Sequence, residues 1–403
     1  MKMKNIFICG AFYNKDIYLN SKKSIDNAAS NVSKKYISIF NSMKDNELFI
    51  INAPFVNSYP KYYSKIWYKG LGKFDNIIDI SYLNIILIKH LNKYLNIRLQ
   101  IHKIIKNIKN KDEICIIGYS MNSINLLIMK NYQKKGIKTC LIVPDLPEYM
   151  NLNNRVSWFK KILKNIDNVL IRKLLKYVNK IIVFSEDMKK TKYFKKKKCL
   201  LIEGVASEND IKLFYNCKTT DIKNKMIVYA GTLNYKYGII DLIKAFSKLK
   251  DSEFELHICG TGEAKDEIIK IAKRNEKIIY HGNLKKDELF ELYKKAYFLI
   301  NPRSPEAEYT KYSFPSKIIE YISTGTPTLC YYLPGMPEEY RKYIFEIENN
   351  DKNQINNIYN ALVKYLQINY STMCQKAKEG QKYLLENKTE KILANQIMTF
   401  INE

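Results

Sequence analysis

The feature that most constrains this chain is a long alternation of short apolar runs with lysine-rich segments of helical period. Such runs occupy residues 7–9, 48–52, 114–117, 139–143 and 180–184, and again 226–230, 255–259, 277–281, 297–300 and 328–331. Their length and apolarity suit strands buried on both faces, while segments such as 241–249 and 286–294 carry the spacing of helices. Strand and helix in alternation imply βαβ units and parallel sheets. The expected fold is α/β, with two Rossmann-like doubly wound domains over residues 1–205 and 206–385. Residues 386–403 should form a C-terminal helix, since 389–401 are apolar at helical period.

A chain of 403 residues that is 46 % hydrophobic can bury a large core. No window of 18 apolar residues occurs, so no membrane-spanning helix is expected. The opening MKMKNIFICG reads as a first strand rather than a signal peptide. Eight cysteines, none in a CxxC pair, argue for a reducing cytoplasm and against zinc or a disulfide framework. The net charge of +27 suits a polyanionic partner, but a codon bias toward Lys, Asn, Ile and Tyr explains it equally well. No nucleic-acid-binding motif accompanies it, so no nucleic-acid partner is expected. The four histidines show no metal-ligand spacing, and no metal site is expected.

Site-bearing residues cluster after the strands of the second half. In VYAGTLNYKYG, Gly231 and Thr232 open a turn between strand and helix, where backbone amides favour a phosphate, and Lys236 adds a cation. An ordinary βα turn would use the same glycine. Gly260 and Gly262, in ICGTGE, let backbone come close to a ligand, but the third glycine of a dinucleotide fingerprint is missing. Gly282 and Asn283 follow the next strand, where a simple turn is an equal reading. The most informative stretch is INPRSPEAEYTKYSFPSKIIEYISTGTPT. Arg303 follows a strand end; Tyr312 and Ser313 close a polar loop; Phe314, Pro315, Ser316 and Lys317 open a helix that Gly325 and Pro327 end. Glu320 stands one turn in, where a carboxylate can take both hydroxyls of a ribose. The bland alternative is a capped surface helix with a solvated Glu.

Taken in order, GTL-x-x-x-Y-G, ICGTGE, HGN, ELYKKAYFLINP, FPSKIIEY and GTP resemble retaining family 4 glycosyltransferases of the GT-B fold, in an FPSK-loop variant branch. The resemblance covers about 100 residues. It implies two domains facing a cleft, with the C-terminal helix crossing back to the first. It also implies transfer of a hexose from a nucleoside diphosphate sugar, UDP favoured over GDP, to a free or lipid-linked saccharide in cell-surface glycan synthesis. The donor is a substrate, and no cofactor is implied. Glu320 matches the ribose-binding Glu. The preceding family Glu would fall at Tyr312, with Glu306 and Glu308 upstream as substitutes. The family's phosphate-clamping Arg and Lys would fall at Thr232 and Tyr237, leaving Lys236, Arg303 and Lys317 to neutralise the diphosphate. The absent Glu leaves a non-catalytic partner subunit as the alternative.

In the first half, Gly10 opens a loop to Asp26 that fits the acceptor side, and Ser120 follows another strand. Asp145, after the strand ending at Val143, can orient or deprotonate an acceptor hydroxyl, or merely cap the next turn. Ser185 matches the strand-end Ser of the resembled family, or reads as a helix N-cap. Residues 157–180 place Trp158, Phe159, Ile162, Leu163, Ile166, Val169, Leu170, Leu174 and Val178 near one stripe amid lysines, and 85–109 are similar. Both fit an interfacial helix on an anionic membrane surface, or ordinary Rossmann helices.

Overall fold

A computed structural model describes residues 3–22, 28–86, 88–149, 158–215, 225–249 and 253–403. The chain divides into two compact units, Met1–Ile202 with Leu393–Glu403, and Glu203–Ile392.

The strands of the first unit are β1 (Met3–Cys9), β2 (Asn46–Asn52), β3 (Trp67–Tyr68), β4 (Gly72–Phe74), β5 (Ile77–Asp79), β6 (Tyr82–Leu83), β7 (Ile114–Tyr119), β8 (Lys138–Val143), β9 (Lys180–Val183) and β10 (Cys199–Leu201). Eight of them form one sheet in the order β10-β9-β8-β7-β1-β2-β5-β4, parallel except at the β4 edge, and β3 pairs with β6 separately. Its helices are α1 (Lys15–Asn20), α2 (Ala28–Asn41), α3 (Ile88–Ile105), α4 (Ser123–Gln133), α5 (Trp158–Leu174) and α6 (Glu186–Lys189). Strand order reverses at β1, whose neighbours are β2 and β7, so a crevice opens above their carboxyl ends.

The second unit holds β11 (Met226–Ala230), β12 (Glu255–Cys259), β13 (Ile278–Gly282), β14 (Phe298–Asn301), β15 (Thr328–Cys330) and β16 (Phe345–Glu346), all parallel, in the order β13-β12-β11-β14-β15-β16. Its helices are α7 (Glu208–Tyr215), α8 (Ile239–Phe246), α9 (Lys265–Ala272), α10 (Lys286–Lys295), α11 (Ser316–Ser323), α12 (Gln354–Leu366) and α13 (Tyr370–Asn387). Ile227 and Tyr229 of β11 enter the core on one face, Val228 and Ala230 that on the other. Burial on both faces is why these strands read as unbroken apolar runs. The order reverses at β11, between β12 and β14.

A last helix, α14 (Glu390–Asn402), begins in the second unit, and from Leu393 onward it belongs to the first. There Lys180 lies over the Phe400 ring, 4.7 Å away, and 4.0 Å from the Glu403 carboxylate.

Several local expectations need revision. The loop from Gly10 to Asp26 contains α1, and the next helix begins at Ala28, after residues outside the described set. Strands β3 to β6, β10 and β16 are additions, too short to show a period. The stripe on α5 divides: Leu174 and Val178 are buried, whereas Ile162, Ile166 and Val169 are exposed. The side chains of Trp158, Phe159 and Leu163 lie outside the described residues, as does Cys217. Among the described residues no cysteine is in a disulfide.

On α3 a lysine occupies the buried face. The Lys93 ammonium donates to the Pro54 carbonyl at 2.5 Å and lies 4.2 Å from the Tyr82 ring centroid. Burial, and then the charge of Lys89, push its pKa down to about 7. The unfolded chain keeps this proton to about 10.5. Between those values the unfolded state holds the extra proton, so the fold gains stability as pH rises, by at most roughly 1.4 kcal/mol per pH unit. Urea unfolding at about pH 7 and pH 9 should show this gain reduced in Lys93→Met relative to the parent; parallel curves would remove the assignment.

Candidate functional site

The carboxyl ends of β11, β12 and β14 bring most of the second-unit candidates together. After β11 the chain turns at Gly231, and a 3-10 turn over Tyr235–Tyr237 leads into α8. The Gly231 amide, expected to face a phosphate, donates instead to the Cys259 carbonyl at 3.0 Å. Leu233 and Asn234 spend their amides on Thr261 and Thr232. Thr232 and Lys236 are exposed on this loop. The glycines after β12 serve loop packing. Gly260 has φ +134°, and a Cβ there would collide with the Gly231 carbonyl oxygen; one at Gly262 would strike the Leu233 backbone. The close approach these glycines permit is therefore to a neighbouring loop of the protein. The Gly260 amide donates to the Gly282 carbonyl at 2.7 Å, extending the chain of backbone bonds to β13, beside exposed Asn283.

The loop after β14 is built around Arg303. Its guanidinium lies 5.5 Å from the Tyr237 ring centroid and 4.7 Å from that of Tyr309, and donates to Ser313 Oγ at 2.9 Å. A cation held against two aromatic faces stays fixed with its charge near the strand ends. Tyr312 closes a 3-10 turn over Glu308–Tyr312. Of the upstream acids, Glu308 is exposed and Glu306 accepts from Gln354 at 3.0 Å.

Helix α11 follows at once. Phe314 is buried against Tyr340, and Pro315 occupies the N-cap position, which offers no side-chain acceptor. The Ile318 amide turns back to the Pro315 carbonyl at 2.9 Å, while the Ser316 and Lys317 amides receive no side-chain cap, and the helix dipole adds partial positive charge there. Lys317 Nζ pairs with Glu320 Oε1 at 2.6 Å, and Tyr293 of α10 donates to the same oxygen at 2.9 Å. Both charged side chains remain about one-third exposed. Tyr321 locks the helix to β11: its hydroxyl accepts from the Ala230 amide at 2.8 Å and donates to the Ala230 carbonyl at 3.0 Å. Lys317 also reaches toward β12. Burial pushes the Cys259 thiol up to about 12, and the Lys317 charge partly opposes that.

Tyr293 and Tyr321 were missed at the level of sequence. Both lie inside motifs that had drawn attention, ELYKKAY and SKIIEYIS, but a helical tyrosine reads as core until its hydroxyl has a partner.

In the first unit, Gly10 is buried at the end of β1, Ser120 follows β7 with φ +77°, and Asp145 is exposed just beyond β8. Asn52, unremarked in the sequence, fixes the loop after β1: it accepts from the Phe12 amide at 3.1 Å and donates to the Phe12 carbonyl at 2.8 Å. It also donates to Asp79 at 2.8 Å. Ser185 stands at the N-cap position of α6, without a side-chain cap bond.

Two Rossmann-like units, the second with an uncapped helix and fixed basic groups at its switch point, constitute the fold of the GT-B glycosyltransferases. Residues 217–379 match the model of the glycosyl transferases group 1 family. It is similar to an uncharacterized glycosyltransferase of Methanocaldococcus jannaschii, 30 % identical over 118 residues, which are 28 % of this chain and 29 % of that protein. The chain thus matches less than one-third of that curated relative's length. It resembles the solved structure of sucrose-phosphate synthase from Thermosynechococcus elongatus (TM-score 0.65, 12 % identity, covering 99 % of this chain and 98 % of that one). It also resembles Anabaena HepE in complex with UDP (TM-score 0.58, 11 % identity, covering 99 % of each).

Proposed function

We propose that the protein transfers a hexose from a nucleoside diphosphate sugar, UDP favoured over GDP, to a saccharide acceptor, with retention of configuration and without a divalent metal. The observation that carries this reading is α11: an uncapped N-terminus beside Lys317, with Glu320 held by Tyr293 one turn further in. A diphosphate at that end meets free amides and the Lys317 ammonium, with Lys236 and Arg303 on the adjoining loops as further cations. Glu320 takes the ribose hydroxyls. The protein's work is to position the donor and to offset charge developing on the leaving diphosphate. Bound UDP in the similar HepE structure supports the preference for UDP. Asp145, Gly10 and Ser120 serve the acceptor in this scheme.

Isothermal calorimetry tests the core of the proposal. UDP or GDP should bind saturably; failure of both removes the donor site. Release of UDP or GDP from a panel of nucleotide sugars should follow, and turnover would exclude a non-catalytic partner subunit.

The acceptor side extends to a lipid-linked saccharide at the cytoplasmic face of a membrane. Helices α3 and α5 both pack against α4. Ile88, Leu91, Leu95 and Leu99 of α3, and Ile162, Ile166 and Val169 of α5, are exposed among basic residues. Such faces suit the headgroup region of an anionic bilayer. The chain should float with phosphatidylglycerol vesicles at low salt, and a Leu95→Glu, Ile166→Glu double variant should stay at the bottom of the gradient. No flotation of the parent would remove membrane association.

A further inference from the structure

The first unit contains a cleft of about 430 Å³ between α3 and the β4–β5 edge of its sheet, lined in part by Trp67, Lys73, Ser81, Asn92, Asn96 and Gln100. Trp67 is 48 % exposed, on the short strand β3. Asn92, Asn96 and Gln100 recur at every fourth residue of α3, so their carboxamides form a row with a step of about 6 Å along the helix.

Internal hydrogen bonds orient two of these amides. Asn92 Oδ1 accepts from the Leu83 amide at 3.1 Å and from Asn96 Nδ2 at 3.2 Å, and Asn96 Nδ2 also donates to the Ser81 carbonyl at 2.9 Å. Among the described residues, that leaves Asn92 Nδ2 as a donor, Asn96 Oδ1 as an acceptor, and the Gln100 amide able to be either. Ser81 Oγ accepts from the Gly70 amide at 3.0 Å, so its proton remains available. The charges are poorly matched to a nucleotide. Lys73 is the only basic residue in the lining, and Asp79 is occupied by Asn52, Tyr68 and the Leu71 amide. An acyl chain would leave the unmatched carboxamide groups of Asn92, Asn96 and Gln100 without partners.

We propose that this cleft binds a saccharide chain. Sugar hydroxyls each donate and accept, which a row of fixed carboxamides can answer in turn. The apolar face of a pyranose ring stacks on an indole, whose N–H serves a hydroxyl. The assignment to a saccharide stands on the cleft's own lining. Only its identification as part of the acceptor rests on the glycosyltransfer proposal.

The chain has two tryptophans, so Trp158→Phe leaves Trp67 as the sole indole reporter in the full-length protein. Maltohexaose, chitohexaose, mannohexaose and a galactan hexasaccharide are titrated at millimolar concentrations. At least one should change Trp67 emission saturably. Gln100→Ala, which removes no internal hydrogen bond, should weaken that binding about tenfold, and Trp67→Ala, followed by calorimetry, at least as much. UDP affinity should be unchanged in both. No response to any of the four, or equal binding by the variants, overturns the cleft assignment. Loss of UDP binding in the parent alone would instead count against the donor site and leave the cleft standing.

Discussion

Gly260→Ala is expected to cost the second unit about 3 kcal/mol or more, the sum of a backbone conformation that an L side chain resists and a collision with the Gly231 carbonyl. Relief would require the loop after β12 to move away from the loop after β11. The amides of Gly231 and Leu233 would then lose their acceptors, Cys259 and Thr261. Gly282→Ala is the matched control. Gly282 also has positive φ, at +74°, but nothing lies within 4 Å of its missing Cβ, so only the backbone cost of about 1 kcal/mol applies. Urea unfolding of the two variants should separate them clearly, and UDP affinity should fall in the Gly260 variant even where it remains folded. Equal midpoints would show that the loops accommodate a methyl group and do not depend on their contact.

Glu320→Ala is expected to weaken UDP binding by roughly 10- to 100-fold, the cost of losing hydrogen bonds from two hydroxyls to a carboxylate, about 1.5–3 kcal/mol. One effect opposes this. The substitution releases Lys317 from its 2.6 Å pair, and a released ammonium is better placed to meet a diphosphate. Glu320→Gln separates the two contributions, because it also releases the lysine but keeps an acceptor, and its loss should be the smaller. Tyr293→Phe removes one group that holds the carboxylate and should cost less again. Calorimetry reads all three. Unchanged affinity in Glu320→Ala would reduce the Lys317, Glu320 and Tyr293 cluster to a structural ion pair.

The parallel architecture was legible because burial on both faces leaves an unmistakable trace, as at residues 226–230, where all five side chains are apolar or aromatic and all are buried. The short strands at residues 67–83 left none, since two or three residues cannot show a period. Lys93 and Leu95 show a different limit. Hydropathy would bury the leucine and expose the lysine, yet the lysine is inside because carbonyl and aromatic partners wait for it there. At the candidate site, the spacing of Lys317 and Glu320 already put them on one turn of a helix, where they pair. A glycine marks a close approach but not what approaches, and here it is another loop. The tether from Tyr321 to Ala230 joins positions 91 residues apart, a pairing that no local pattern encodes.

The return of the last helix to the first unit has a consequence for synthesis. Domains emerging from a ribosome generally fold in order, each once its own residues are out. The first unit cannot do so fully, because Leu393–Glu403 are made only after the whole of the second unit. Until they arrive, Lys180 lacks the Phe400 ring and the Glu403 carboxylate beside it, and the eight-stranded sheet stays open at that place while the entire second unit is translated. Completion of the amino-terminal half thus waits for residues that follow the second unit, and a stop just before Leu393 would damage the half that was made first.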